Sequence, residues 1–171
     1  MAGTTTNNSW DYPTSTDLVT NGALAIQTLA DEIDTSVGAG LKAWQTWAPT
    51  LSNGWANGNG TWSAQYAKLG KLVFVSGIFT LGTTTTKGTG CNVSLPVAAR
   101  TGSMIYAFKG ILSAAGTSYE LTVAGATTTT MSLLAQNTAG TYLTRATVTS
   151  TVPATWVTGD EIRFIGFYEA A

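Results

Sequence analysis

The chain has 171 residues and a formal net charge of −1, from eight basic and nine acidic residues. Charged residues make up only 10% of it, against about 25% in an average soluble domain, which excludes the clustered Lys and Arg that bind nucleic acid or an anionic membrane. With 44% hydrophobic residues the chain can form a core, and its many Thr, Ser, Asn and Gly residues favour a mainly β protein rich in turns.

Residues 1–16 form a polar arm. Such a segment buries too little apolar surface to fold alone, and it has neither the charged start nor the apolar run of a signal peptide. It nevertheless contains Trp10, Tyr12 and Pro13 in the run WDYP, and aromatic side chains give a large contact area at small entropic cost. We predict an extended docking arm that these three residues anchor on another surface. The alternative is that the arm folds back on the β domain.

A helical pattern follows, and we interpret 17–43 as an oligomerisation helix and its connector. Asp17 or Thr20 can cap the start of the helix, and we predict its end at Val37, directly before Gly38. Apolar side chains recur at steps of three and four and form one narrow stripe: Ile26, Leu29, Ile33 and Val37. An isolated helix of this length is marginal in water. The stripe therefore packs either on the β domain or on the same stripe of other copies, whose number it is too short to fix.

From Trp44 the pattern changes to short apolar runs between Asn- and Gly-rich turns. We predict a β knob over 44–171, built as an antiparallel sandwich or a small barrel. The strongest strand signal lies in 72–79, and Gly70 is predicted to form the tight hairpin turn before it. Further strands are predicted in 91–95, 104–112, 119–124, 131–135, 142–149 and 160–170.

The last predicted strand has apolar residues on both faces. Ile162, Phe164 and Tyr168 alternate with Ile165 and Phe167, and successive side chains of a strand point to opposite faces. A strand with two apolar faces is typical of one that is covered on both sides. We therefore predict that both faces of this strand are buried.

Residues for catalysis are sparse. The chain has no His, which removes the commonest general base and zinc ligand. Cys91 thus lacks a His partner, and we predict a small buried residue; as the single Cys it forms no internal disulfide, which indicates synthesis in a reducing cytosol. Asp160 and Glu161 are strand neighbours that point apart, unlike the converging carboxyl pair of a glycosidase. We predict no catalytic residue, no metal site and no cofactor.

Two stretches are compared with binding motifs. The run Gly82–Gly90, GTTTTKGTG, reverses the Gly-Lys order of a phosphate-binding loop, and we predict a mobile or hairpin loop. The run WANGNGTW places Trp55 and Trp62 beside Asn side chains. Exposed indoles stack on sugar rings, so these two residues are candidate glycan contacts. The alternative, which the usual burial of large aromatics favours, is that both are packed in a core or between subunits.

The order of motifs carries a resemblance over Trp10 to about Leu81. The chain begins with W-x-Y-P-x-x-x-D, continues with a helix that contains LADEID, and follows with Y-x-x-x-G-x-x-V. The matching residues are Trp10, Tyr12, Pro13, Asp17, Leu29 to Asp34, Tyr66, Gly70 and Val73. This order resembles minor virion proteins of tailed phages, in particular tail and fibre-like proteins of phages that infect actinobacteria.

The resemblance implies a virion structural protein without enzymatic activity, made in the cytoplasm of the host bacterium. In such proteins the N-terminal segment docks on capsid or tail proteins, the helix forms a homotrimeric coiled coil, and the β knob projects outward, where a host-surface glycan is a candidate partner. This chain lacks the shaft repeats of long tail fibres, so capsid decoration or a head fibre and a short tail-tip fibre stay open. A carbohydrate-binding module is the alternative function, and a cell-wall depolymerase is the least favoured one.

Overall fold

The computed structural model describes residues 3–5, 9–12, 14, 21–40, 43–102, 108–138 and 140–171. They belong to two compact units, which we call the N-terminal unit (Met1–Lys42) and the β unit (Ala43–Ala171). The described part of the chain is mainly β and contains one helix, in agreement with the predicted fold class. Five predicted features lie wholly or partly outside the described residues: Pro13, Asp17, Thr20, the side chain of Val37 and the first part (104–107) of the strand predicted in 104–112.

The described part of the arm forms a small hairpin. Strand β1 (Gly3–Thr4) pairs antiparallel with β2 (Asp11–Tyr12). Thr5 closes the hairpin, because its N–H donates to the Trp10 carbonyl at 2.9 Å and its hydroxyl accepts the Trp10 N–H at 3.0 Å. The two described strands of the arm are thus extended and pair with each other. A chain that turns back satisfies backbone groups that a single extended segment leaves to water.

Helix α1 (Gly22–Gly40) lies in the same unit as the hairpin. Glu32 ties the two together, since its carboxylate accepts the backbone N–H of Asp11 at 2.7 Å. The predicted helix end at Val37 is wrong, because α1 continues through Gly38. Glycine permits the left-handed turn that ends many helices but does not enforce it.

The described β unit consists of one antiparallel sheet of ten strands. In chain order these are β3 (Gln45–Thr46), β4 (Leu51–Ser52), β5 (Thr61–Leu69), β6 (Leu72–Thr80), β7 (Asn92–Ser94), β8 (Lys109–Ala114), β9 (Thr117–Gly125), β10 (Thr130–Asn137), β11 (Thr144–Thr147) and β12 (Glu161–Glu169). Their order across the sheet is β3-β5-β6-β12-β8-β9-β10-β7-β4, and β11 pairs with β10. The sheet curls into a half-barrel, so the core lies inside one curved sheet rather than between two.

Of the nine strand pairings in the described β unit, four join neighbours in sequence, and β12 pairs with two strands from much earlier in the chain. The hairpin of β5 and β6 turns at Gly70, whose φ of +57° suits a residue without a side chain, and this confirms the predicted turn. β12 lies between β6 and β8 and pairs with both. The last strand of the chain therefore occupies the middle of the sheet, and the two halves of the sheet meet along it.

The inner face of the sheet holds the core. Ile162, Phe164 and Tyr168 of β12 point inwards and are buried. On the outer face of the same strand, Ile165 and Phe167 are 61% and 46% exposed. The prediction that both faces of this strand are buried is therefore wrong for the single chain. Alternation in the sequence shows that a face is apolar, but it does not show what covers that face.

Candidate functional site

Trp55 lies in the core, where it is 3% exposed. Its ring meets Trp156 edge-on, with ring centroids 5.6 Å apart and planes at 90°. No face of the indole is left for a sugar ring, so the assignment of Trp55 as a glycan contact is corrected to the packed alternative. Trp156, which the sequence analysis passed over, completes this pair.

Trp62 is half-buried on the inner face of β5. Its ring lies 4.7 Å from that of Phe79 and 6.1 Å from that of Phe164. The indole N–H is buried and has no hydrogen-bond partner. A depression of about 460 Å³ lies beside Trp62, and its polar lining includes Thr46, Ser63, Gln65 and Ser76. The packed alternative accounts for the indole ring, and the polar side chains of the depression belong to the outer face of the same sheet.

The Asn side chains of this stretch bind the protein itself. Asn57 accepts the backbone N–H of Leu51 and donates to the carbonyl of Pro49, both at 2.9 Å. The backbone carbonyl of Asn57 accepts a hydrogen bond from the hydroxyl of Thr85 at 2.8 Å. These amide groups are therefore engaged in holding turns, which removes Asn57 as a partner for sugar hydroxyls.

Asn59 joins the Asn-Gly loop to the Thr-rich loop. Its side chain accepts the N–H of Thr84 and donates to the hydroxyl of Thr83, both at 2.9 Å. We call the two loops, residues 52–60 and 82–88, the loop clasp. The predicted mobile or hairpin loop at Gly82–Gly90 is thus fastened at its start by side-chain hydrogen bonds.

Glycines allow the two loops of the clasp to touch backbone to backbone. Gly58 has a φ of +55°, and a Cβ there would overlap the carbonyl of Thr84. A Cβ on Gly88 would overlap the backbone of Gly54 in the same way. Such close approach is open only to residues without a side chain. The glycines of the Asn53-Gly54, Asn57-Gly58 and Lys87-Gly88 pairs therefore have a structural explanation.

Lys87, the basic residue of the Thr-rich loop, also binds the protein. Its ammonium group donates to the backbone carbonyl of Trp156 at 3.1 Å. This hydrogen bond connects the loop clasp to the segment before β12. It also places the positive charge of Lys87 next to a backbone carbonyl, whose oxygen carries a partial negative charge. Lys87 and Trp55 thus hold Trp156 from two sides.

Asp160 is a buried carboxylate that organises two turns. It accepts the backbone N–H of Val157 at 2.7 Å and that of Ala115 at 3.2 and 3.3 Å. Ala115 has a φ of +49°, which is uncommon for a residue with a side chain. Sequence reasoning considered Asp160 only as half of a carboxylate pair. The run T-G-D directly before β12 was the available signal for a turn residue of this kind.

Two other buried side chains, Cys91 and Tyr168, have raised pKa values. Cys91 is fully buried, as predicted, and desolvation raises the pKa of its thiol. Burial also raises the pKa of Tyr168, to about 12. The Tyr168 hydroxyl donates to the Val97 carbonyl at 2.6 Å and accepts the Val97 N–H at 3.2 Å. Both groups stay neutral at physiological pH and stabilise the fold.

Within the described residues, no group of three or more His, Cys, Asp or Glu side chains could hold a metal ion. The described part of the chain also contains no helix that is long and apolar enough to cross a membrane.

The predicted oligomerisation stripe is open to solvent in the single chain. Ile26 and Ile33 are 63% and 37% exposed, and Leu29 is half-buried. Leu24, which is 68% exposed, lies nine residues before Ile33. This spacing corresponds to two and a half turns of a helix with about 3.6 residues per turn, so Leu24 is on the opposite face.

The predicted docking residues differ in exposure. Tyr12 is exposed, with 41% of its surface accessible, and Trp10 is half-buried. Of the two described anchors, Tyr12 thus has the more exposed ring. Comparison of this chain with protein-family models, with curated proteins and with solved structures finds no match.

Proposed function

We propose that this chain is a non-enzymatic structural protein of a phage virion, which trimerises through α1 and projects its β unit from the particle. The motif resemblance between Trp10 and Leu81 supplies the virion context. The observation that carries the proposal is the exposed apolar stripe of α1, in which Ile26 and Ile33 face solvent.

An apolar stripe on a short helix needs a partner. Burial of one large aliphatic side chain stabilises a fold by about 1.5 to 3 kcal/mol, while a helix of this length is marginal alone. The same stripe on other copies buries Ile26 and Ile33 of every chain at once. Three copies follow from the resemblance, in which the corresponding helix forms a trimer.

The polar groups of the β unit support a structural role. An enzyme keeps its reactive groups available in a cleft, whereas here Asp160, Asn57 and Lys87 are each bonded to backbone groups of their own chain. Cys91 is buried, and its thiol is held neutral. Each of these groups stabilises a turn or the core.

The mass of the full chain in solution tests the trimer. Light scattering on a sizing column, at several concentrations, should give three times the chain mass of 17.7 kDa. Ile33→Asp and Ile26→Asp should reduce this mass, because a carboxylate in the stripe would be desolvated next to its own copies. Leu24→Asp is the matched control on the opposite helix face, and it should remain a trimer. A wild-type monomer at all concentrations would contradict the proposal.

The docking role of the arm is tested on particles. We expect Tyr12→Ala to leave the trimer intact but to reduce incorporation into virions, because it removes an exposed ring from the interface. Thr4→Ala, on the neighbouring strand of the hairpin, is the control. Equal amounts of Tyr12→Ala and wild-type protein in purified particles would refute docking through this residue. Gold labelling of the same particles distinguishes capsid from tail.

The second candidate is carbohydrate binding, and the polar depression beside Trp62 favours it. Thr46, Gln65 and Ser76 line this depression from the outer face of the sheet, and a concave surface with several converging polar groups is typical of a ligand site. A glycan array should then give a signal that Gln65→Ala weakens and that Trp44→Ala, an exposed indole outside this lining, leaves unchanged. An array without signal for the wild-type trimer rejects this candidate and leaves the structural role in place.

A further inference from the structure

The outer face of the sheet carries a cluster of exposed apolar side chains. In the described β unit nine large apolar residues are exposed, and five of them share this face. We call them the outer patch: Leu69, Phe74, Ile111, Ile165 and Phe167. Scattered exposed apolar residues are normal on a protein surface, whereas a cluster marks an interaction site.

Strand register makes the outer patch continuous across the centre of the sheet. Phe74 of β6 lies directly opposite Phe167 of β12, and their ring centroids are 6.0 Å apart. Ile165 follows two residues before Phe167 on the same face. Ile111 of β8 lies opposite Arg163 of β12, which extends the patch to a third strand.

The area of the outer patch indicates what kind of partner covers it. Its side chains are 37% to 61% exposed. With roughly 200 Å² for a large side chain, the patch offers about 450 Å² per copy. A stable interface between free proteins needs about 800 Å² per partner. The patch alone is therefore too small to recruit a free partner, but it suits copies that another contact already holds close together, where the effective concentration is high.

Charge distribution also favours copies of the same chain. The outer positions of β8, β9 and β12 carry both signs, with Lys109 and Arg163 near Glu120 and Glu161. Arg163 donates to the carboxylate of Glu161 at 2.8 Å. In contrast, the outer positions of β5 and β6 from 63 to 78 have no charged residue. A face with an uncharged half and a charge-balanced half meets its own copies without net repulsion.

We propose that the outer patch is an inter-subunit surface, by which three β units contact one another around a three-fold axis. This inference rests on the proposed homotrimer. In a closed three-fold arrangement each copy uses one half of the face toward one neighbour and the other half toward the next. The uncharged half on β5 and β6 then meets the β8 side of the next copy, and Ile165 of β12 lies nearest the axis. The second apolar face of β12 becomes buried in this arrangement.

Chemical cross-linking of the full chain tests the proposal. Ile165→Cys and Phe167→Cys each introduce one exposed thiol, while native Cys91 is fully buried. A bismaleimide with a reach of about 10 Å matches the separation of sheets that pack face to face. Val157→Cys is the matched control, because Val157 is a similarly exposed apolar residue of the β unit outside the outer patch. Light scattering gives the mass of each variant before the reagent is added.

The expected result is a trimeric mass for all three variants, with cross-linked chains from Ile165→Cys and Phe167→Cys at a rate at least tenfold above that from Val157→Cys. A trimeric mass with equal, slow cross-linking at all three positions would overturn the inference and leave the proposed trimer standing. With that result, the outer patch would instead be a surface for another virion protein. A monomeric wild-type mass would overturn both. A dimeric mass with rapid cross-linking at Ile165→Cys would replace the three-fold contact with a two-fold one.

Discussion

Single residues that looked available for binding or catalysis hold the fold instead. Trp55 packs on Trp156, and the carboxylate of Asp160 accepts hydrogen bonds from backbone N–H groups of two turns. Both would have been reasonable functional residues by type alone. Their role follows from burial, because a buried indole excludes a ligand and a buried carboxylate must be hydrogen-bonded.

Replacement of Trp55 should separate packing from binding. Trp55→Ala leaves a cavity in the core, and we expect the free energy of unfolding to fall by about 3 to 5 kcal/mol. Trp44→Ala, at an indole that is half exposed, should change it by less than about 1 kcal/mol. Denaturant unfolding followed by fluorescence measures both. A Trp55→Ala protein with wild-type stability would contradict the burial argument.

The ionisation of Tyr168 predicts a loss of stability at high pH. The pKa of Tyr168 is about 12 in the folded chain, against an ordinary value of 10.0. Between these two pH values the folded state keeps the Tyr168 proton, whereas the unfolded state releases it. The contribution of Tyr168 to the free energy of unfolding is therefore fully present below pH 10 and is lost as the pH rises towards 12. Unfolding in denaturant at pH 9 and 11 should show this loss.

Tyr168→Phe is the variant to compare. It removes the hydroxyl and its two bonds to Val97, so it should be less stable than wild type at pH 9. Because it also removes the titrating group, the gap between the two proteins should narrow at pH 11. A gap that is unchanged or widens over this interval would refute the assignment.

At the level of elements, two glycines with nearly the same backbone angle differ in their surroundings. Gly58 and Gly70 have φ values of +55° and +57°, but only Gly58 is crowded by another loop. Gly70→Ala should therefore cost only the strain of a positive φ, about 1 kcal/mol. Gly58→Ala adds a clash with the backbone of Thr84 and should cost several times as much. Thermal unfolding compares the two, and equal losses would mean that the loop clasp adjusts freely.

The elements also show what a sequence reveals. The strands within 72–80 and 161–169 were predictable, because their apolar patterns are local, and the turn at Gly70 follows from glycine's freedom at positive φ. The loop clasp was not predictable, since it joins residues 52–60 to 82–88 through bonds that are distant in sequence. The exposure of Ile165 and Phe167 was missed for a related reason. Their sequence pattern is that of a strand with both faces buried, but in the single chain these two side chains are exposed.

At the level of the whole molecule, the buried core belongs to the β unit. All the buried hydrophobic residues among the described ones lie between Trp47 and Ala170, within the β unit. Removal of residues 1–42 should therefore leave a folded sheet, with the denaturant midpoint of the isolated β unit close to that of the full chain at the same low concentration. The mass should drop, because α1 is gone. Loss of the β circular-dichroism signal would show that the N-terminal unit is needed for folding.

The loop clasp has a consequence for the conditions that the protein withstands. Its bonds join amides, hydroxyls and backbone groups, none of which carries a charge. Counter-ions screen only charges, and these groups neither gain nor lose protons between mild acid and mild alkali. The chain has also no His that would ionise in that range. The two loops should thus stay joined from dilute buffer to molar sodium chloride, so the fold of the β unit should depend little on the salt concentration around it.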